Sequence, residues 1–221
     1  MPAPPRGDFM PGIFFGAGFF ELTSLNDRLA AHGYDRIESF RPVLGGELRA
    51  IHPSGLVTGI YGAAIFARSA DGPDGLRAKW SGGFGVFEAG YAFVHLPAFT
   101  LSLSGGIGGY GVTLDIADPG GARFDSVLDM PRRGTSLTNG GLLFGLMLRA
   151  DGRIPLGPVR NERQGYLAIG LRVNGLWGPA LGDWGFEFND DDATRGPSSN
   201  LAGVYAALVL GWGGTSVNPT P

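Results

Sequence analysis

The sequence contains no cysteine, a single lysine, three histidines and no apolar run long enough for a membrane helix. Without cysteine there is no disulfide, no thiolate nucleophile and no Cys-ligated metal. A transmembrane helix needs roughly 18 or more apolar residues in succession, so none is expected. Lys79 stands against sixteen arginines, the net charge is −3 and no basic run occurs. Nucleic acid is therefore not an expected partner. Met1-Pro2-Ala3-Pro4-Pro5-Arg6 carries no apolar export segment. A reading that places the chain beyond the cytosol takes this numbering to be that of a processed chain, or of one with a start added.

What the sequence has in excess is glycine, 40 of 221 residues, with 11% aromatics and only 17% charged residues. Glycine weakens a strand interior, so its heavy use inside strands needs a reason. A narrow barrel lumen filled by small side chains supplies one.

The strands announce themselves by alternation. In Tyr166-Leu167-Ala168-Ile169-Gly170-Leu171-Arg172-Val173-Asn174, one face reads Leu, Ile, Leu, Val and the other Tyr, Ala, Gly, Arg, Asn. Period two means a strand. Apolar residues on one side and small or polar ones on the other describe a membrane barrel wall. Eight such stretches occur, at about 12–21, 43–51, 56–68, 79–94, 99–116, 140–149, 166–174 and 201–212. A short helix is expected after the first, with Ser24 as its N-cap, Leu25 and Leu29 on one face and Gly33 ending it. The alternation of the fifth slips near Gly105-Gly106 and Gly108-Gly109, where a bulge or kink is expected. These glycines lack the Gly-Lys-Ser/Thr ending and helix of a phosphate loop.

Connection lengths point the same way. Those after strands 1, 3, 5 and 7 span about 22–42, 69–78, 117–139 and 178–199, whereas those after strands 2 and 4 are a few residues. The sixth, Asp151 to Arg163, is intermediate. Outer-membrane barrels have short periplasmic turns at one rim and longer outer loops at the other. Phe20, Trp80, Phe93, Phe99, Trp177 and Trp212, near strand ends, are expected to form interfacial girdles. The expectation is one all-β domain over 1–221, a closed up-and-down barrel with tails at 1–10 and 214–221.

On these features the whole chain resembles small bacterial outer-membrane β-barrel proteins, the eight-stranded class that includes the OmpA transmembrane domain and the OmpX type. The resemblance lies in architecture, in alternation, loop asymmetry and the last strand Leu201 to Trp212, not in a diagnostic motif. Such barrels usually end in an aromatic residue. Here Trp212 is followed by Gly213-Gly214 and a tail ending in Pro221, a departure from that pattern. The resemblance implies an outer-membrane location and the lipid bilayer as a partner.

Face assignment turns Glu47, Arg49, Glu88, Arg149 and Arg172 into the lumen. Two acids and three bases in a narrow interior must pair, because an unpaired buried charge costs several kcal/mol. A salt-bridged plug is favoured over an ion path, since about eight strands leave just enough interior for side chains to fill. Elsewhere, Asp190, Asp191 and Asp192 in the acidic run from Glu187 are weak candidates for Ca²⁺, though their spacing does not match an EF-hand. No cofactor is expected. His52 and His95 fall at the periplasmic rim and His32 near the end of the first-loop helix. Barrel enzymes that modify lipid place a His with Ser at the outer rim, and no such constellation can be named. The expected role is a non-enzymatic, structural or accessory one, with long loops available to an envelope protein partner. Three alternatives stay open: a small pore or carrier for lipophilic molecules, a lipid-modifying enzyme, and a soluble barrel holding an apolar ligand. The last would put Leu167, Ile169 and Leu171 inside and Arg172 outside.

Overall fold

Each alternating stretch forms a strand, and most run further than their sequence signal. The computed structural model describes residues 6–117, 134–160, 163–187, 192–193 and 196–216. Within these lie β1 (Arg6–Phe20), α1 (Thr23–Ala31), β2 (Phe40–Ile51), β3 (Leu56–Asp71), β4 (Arg77–His95), β5 (Phe99–Ala117), β6 (Thr135–Arg160), β7 (Arg163–Gly178), β8 (Trp184–Phe186), β9 (Asp192–Ala193) and β10 (Leu201–Ser216). Eight long strands pair antiparallel in the ring β1-β2-β3-β4-β5-β6-β7-β10, closed by β10 on β1. The short β8 and β9 extend the sheet from the loop end of β6. Closure satisfies every wall strand on both edges, as a span through hydrocarbon requires.

The rims are as unequal as expected, with two corrections. The sixth connection is not intermediate: β6 runs to Arg160 and β7 begins at Arg163, leaving two residues. Pro155 and Gly157 are residue types that ordinarily interrupt a strand. In the barrel Pro155 pairs with Tyr166, and Gly157 takes φ +71° at a register shift. The connection after β3 is also short, 72–76, with one 3-10 turn at Pro73–Gly75. Residues 6–10 and 214–216, read as tails, belong to β1 and β10. Their signal was weak because Pro11 and the terminal glycines hide the alternation.

No bulge occurs at Gly105–Gly109. The β4–β5 and β5–β6 ladders run unbroken through these residues, and β4 shifts instead between Ala92 and Val94. Gly108 serves close approach: a Cβ there would overlap the carbonyl of Gly85. In α1, Leu22 is the N-cap and makes no side-chain cap bond. Glu21 does the work assigned to Ser24, its Oε1 accepting from the Thr23 amide at 2.8 Å. Bonds from Thr23 hold the Glu21 carboxyl below its usual range. Ser24 Oγ accepts from the Ser198 amide at 3.0 Å, tying the helix to the last loop. Gly33 does follow the helix, at φ +80°, where glycine is favoured.

Burial fixes the faces. Thirty-three large apolar side chains are exposed among the described residues, including Phe15, Phe87, Leu146, Leu171, Leu208 and Trp177. A continuous apolar surface of this extent has no place on a water-soluble monomer. Ile169 and Leu171 point outward and Arg172 is fully buried, the reverse of what a soluble barrel holding an apolar ligand needs. Of the expected girdle, Phe93, Phe99, Trp177 and Trp212 are exposed, but Phe20 and Trp80 are buried. Both share the inward parity of their strands, which proximity to a strand end does not reveal.

The lumen corrects a broader expectation. Its loop-side part is not small and polar but an ordinary core. Phe20, Leu25, Leu29, Ile37, Val43, Ile65, Trp80, Leu114 and Leu143 pack together there, α1 and the following segment contributing three of them.

Candidate functional site, an ion-pair chain across the lumen

The charged side chains lie on the turn side of that core. β2, β4 and β6 all run from the loop rim to the turn rim. Along β2, Val43 precedes Glu47 and Arg49. Along β4, Trp80 and Phe84 precede Glu88. Along β6, Leu143 and Met147 precede Arg149 and Asp151. Alternation alone puts each of these on the inner face.

In the ring, β2 and β6 stand four strands apart, on opposite walls. Side chains from the two meet in the middle. Glu47 Oε1 accepts from Arg149 Nη1, and its Oε2 accepts from Arg172 Nη1 at 3.0 Å. Arg149 Nε donates to both carboxylate oxygens of Asp151, at 2.8 and 2.9 Å. Asp151 Oδ2 in turn accepts from Arg49 Nη1 at 2.9 Å. Arg49 Nη2 donates to Ser102, and its Nε lies 3.7 Å from Glu88 Oε1. The result is one chain, Arg172–Glu47–Arg149–Asp151–Arg49–Glu88, with three positive and three negative groups.

All five lumen residues named from sequence are in this chain, each no more than 7% exposed. The sixth, Asp151, was missed. Sequence reasoning placed it at the start of the sixth connection, Asp151 to Arg163. An inward-parity test carried two residues past Arg149 would have found it. Asp151 also makes the balance: two acids against three bases leaves a cation over, and three against three does not. Arg149 and Arg172 are direct cross-strand neighbours, a pairing that repels unless a carboxylate lies between them. Glu47 is that carboxylate.

Arg172 is further enclosed by rings. Its guanidinium carbon lies 4.3 Å from the centroid of Phe14 and 4.2 Å from that of Tyr61, within cation–π range. With its amide oxygen turned to Arg172, Asn174 accepts from Nη2 at 2.7 Å and from the Tyr205 hydroxyl at 2.7 Å.

A second cluster closes the turn rim. Asp8 Oδ2 lies 2.6 Å from Arg153 Nη1 and 3.1 Å from His95 Nε2. Arg153 Nη2 also donates to Thr100 at 2.7 Å. Asp8 and Arg153 were not singled out in sequence, since both sat in stretches read as tail or loop. His52 lies in the β2–β3 turn at the same rim. His32 follows α1 at the opposite rim, its Nδ1 2.9 Å from the Arg28 carbonyl oxygen. Of the weak Ca²⁺ candidates, Asp190 and Asp191 lie outside the described residues and Asp192 opens β9. Among the described residues no group of three or more His, Asp or Glu is placed to hold a metal ion.

Closed ring, apolar belt and buried charges define a transmembrane β-barrel of the eight-stranded outer-membrane class, with its short turns and both strand termini at the periplasmic rim. No family model matches the sequence, and no curated protein matches it significantly. Among solved structures, the fold is similar to that of Ail, the attachment invasion locus protein of Yersinia pestis. The likeness covers 94% of this chain and 99% of that one, at 11% identity and a TM-score of 0.53. It is equally similar to Ail in complex with the heparin analogue sucrose octasulfate, at 10% identity and a TM-score of 0.53 over 94% and 99% of the two chains. At these identities the likeness is one of fold.

Proposed function

We propose that this barrel is a closed, non-enzymatic scaffold of the outer membrane, whose task is to hold its outer loops in place for contact with an envelope partner. The observation that carries this reading is the pairing of β2 with β6 through Glu47–Arg149 and Arg49–Asp151. These bonds cross the lumen where a permeating ion would have to pass. Being buried and charge-balanced, they present it no net charge. The packed residues above them block apolar cargo in the same way. With the turn-side interior closed by these pairs, the parts left to meet a protein partner are the loops. α1 is fastened for that purpose to the last loop, by Ser198 on Ser24, and to its own following segment, by Asn26 on Ile37.

Purified protein in liposomes tests this directly. Efflux of chloride and of glucose is expected to match that of protein-free vesicles. Efflux above that level would overturn the closed scaffold and favour a small pore.

A further inference from the structure

One buried cation stands outside every pairing described above. Arg41, the second residue of β2, faces the loop-side lumen and is fully buried. Among the described residues, no hydrogen-bond partner reaches its Nε, Nη1 or Nη2. The other four buried arginines among the described residues each meet a carboxylate: Arg49 meets Asp151, Arg149 and Arg172 meet Glu47, and Arg153 meets Asp8. Among the described residues, what lies against Arg41 is the ring of Trp80, 5.5 Å from its guanidinium carbon. A ring face attracts the charge but accepts none of the five N–H bonds in the guanidinium plane.

Relief from within is not at hand. Guanidinium does not give up its proton in proteins. Among the described residues, the charges that act on Arg41 from nearby are Arg68, of its own sign, and Glu38, and both of these side chains are exposed. The turn-side chain is already balanced and has no acid to spare. What the site lacks is an anionic acceptor matched to a planar fork, and oxyanions are the group that fork binds in a bidentate manner.

We propose that Arg41 is the centre of an oxyanion site in the loop-side mouth of the barrel. It takes sulfate or phosphate, free or as the ester of a sugar, with Trp80 against the guanidinium and Arg68 adding a second positive charge. The anion enters from the outer rim, because Arg41 stands at the loop end of β2. The proposal does not depend on whether the barrel conducts.

The test is thermal unfolding of the full chain folded in non-ionic detergent, with sodium sulfate, sodium phosphate or a sulfated sugar against sodium chloride at matched ionic strength. Wild type is expected to gain stability saturably, by about 3 °C or more at tenfold above Kd. Arg41→Leu, which keeps the bulk and loses the charge, should show no saturable gain and should unfold no earlier than wild type without added anion. Arg41→Lys keeps the charge but loses the fork, and should bind about tenfold more weakly. It serves as the probe should the leucine variant not fold. A response to the free ions assigns a free oxyanion, and one confined to the sulfated sugar assigns the ester. No Arg41-dependent response to any of the three overturns the proposal. So does Glu38→Gln lowering the stability of wild type but not of Arg41→Leu, which would make Glu38 the counter-ion.

Discussion

Towards the loops the lumen is filled by Phe20, Val43, Ile65, Trp80 and Leu143, held under α1. Towards the turns it is filled by six charges joined in one chain. Both halves are buried, but they are held together by different physics. The apolar half gains from each surface it removes from water, about 25 cal/mol per Å², and tolerates changes that keep its volume. The ionic half removes charges from water at a cost and recovers it only while every partner is present. Losing one contact should therefore matter unequally in the two places.

The largest effect is expected in the ionic half. Glu47→Leu takes from Arg172 the carboxylate it bonds and from Arg149 one of two, and should destabilise the barrel by about 3–5 kcal/mol in urea titrations of folded protein. Replacing all six charges together by apolar residues of similar volume should instead be neutral or stabilising by about 1–4 kcal/mol. If the complete replacement costs more than Glu47→Leu alone, the chain is a net source of stability and the contrast between the halves fails.

A smaller loss is expected across the boundary. Leu143→Ala, at a fully buried position of the apolar half, should cost about 2–4 kcal/mol through the cavity it leaves. Equal costs for Leu143→Ala and Leu143→Met would show that this half is already loosely packed.

The smallest effects separate the inner face of the wall from its outer face. Gly108→Ala forces a methyl against the Gly85 carbonyl and should cost about 1–3 kcal/mol as overpacking. Gly85→Ala points outward with nothing within 4 Å of the added carbon, and should stay within about 0.5 kcal/mol of wild type. Heat-dependent mobility of the unboiled protein in SDS gels would rank the pair.

The sequence by itself determined the wall. Period-two alternation assigned inner and outer faces through Glu47, Arg49, Glu88, Arg149 and Arg172, and the direction of each strand placed His52 and His95 at the turn rim. These are local facts, since successive side chains on a strand must take opposite sides whatever else the chain does. Strand ends were less legible. Pro11, Pro155 and the terminal glycines are breakers in isolation, and only a neighbouring strand in register decides that β1 starts at Arg6 and β6 continues to Arg160. Asp151 went unread for that reason, and so did Asp8 and Arg153. Likewise nothing along the chain distinguishes Arg41, without a carboxylate, from Arg49, held by Asp151. Which charge meets which depends on ring closure, because closure alone brings β2 opposite β6 and makes two residues a hundred positions apart into neighbours.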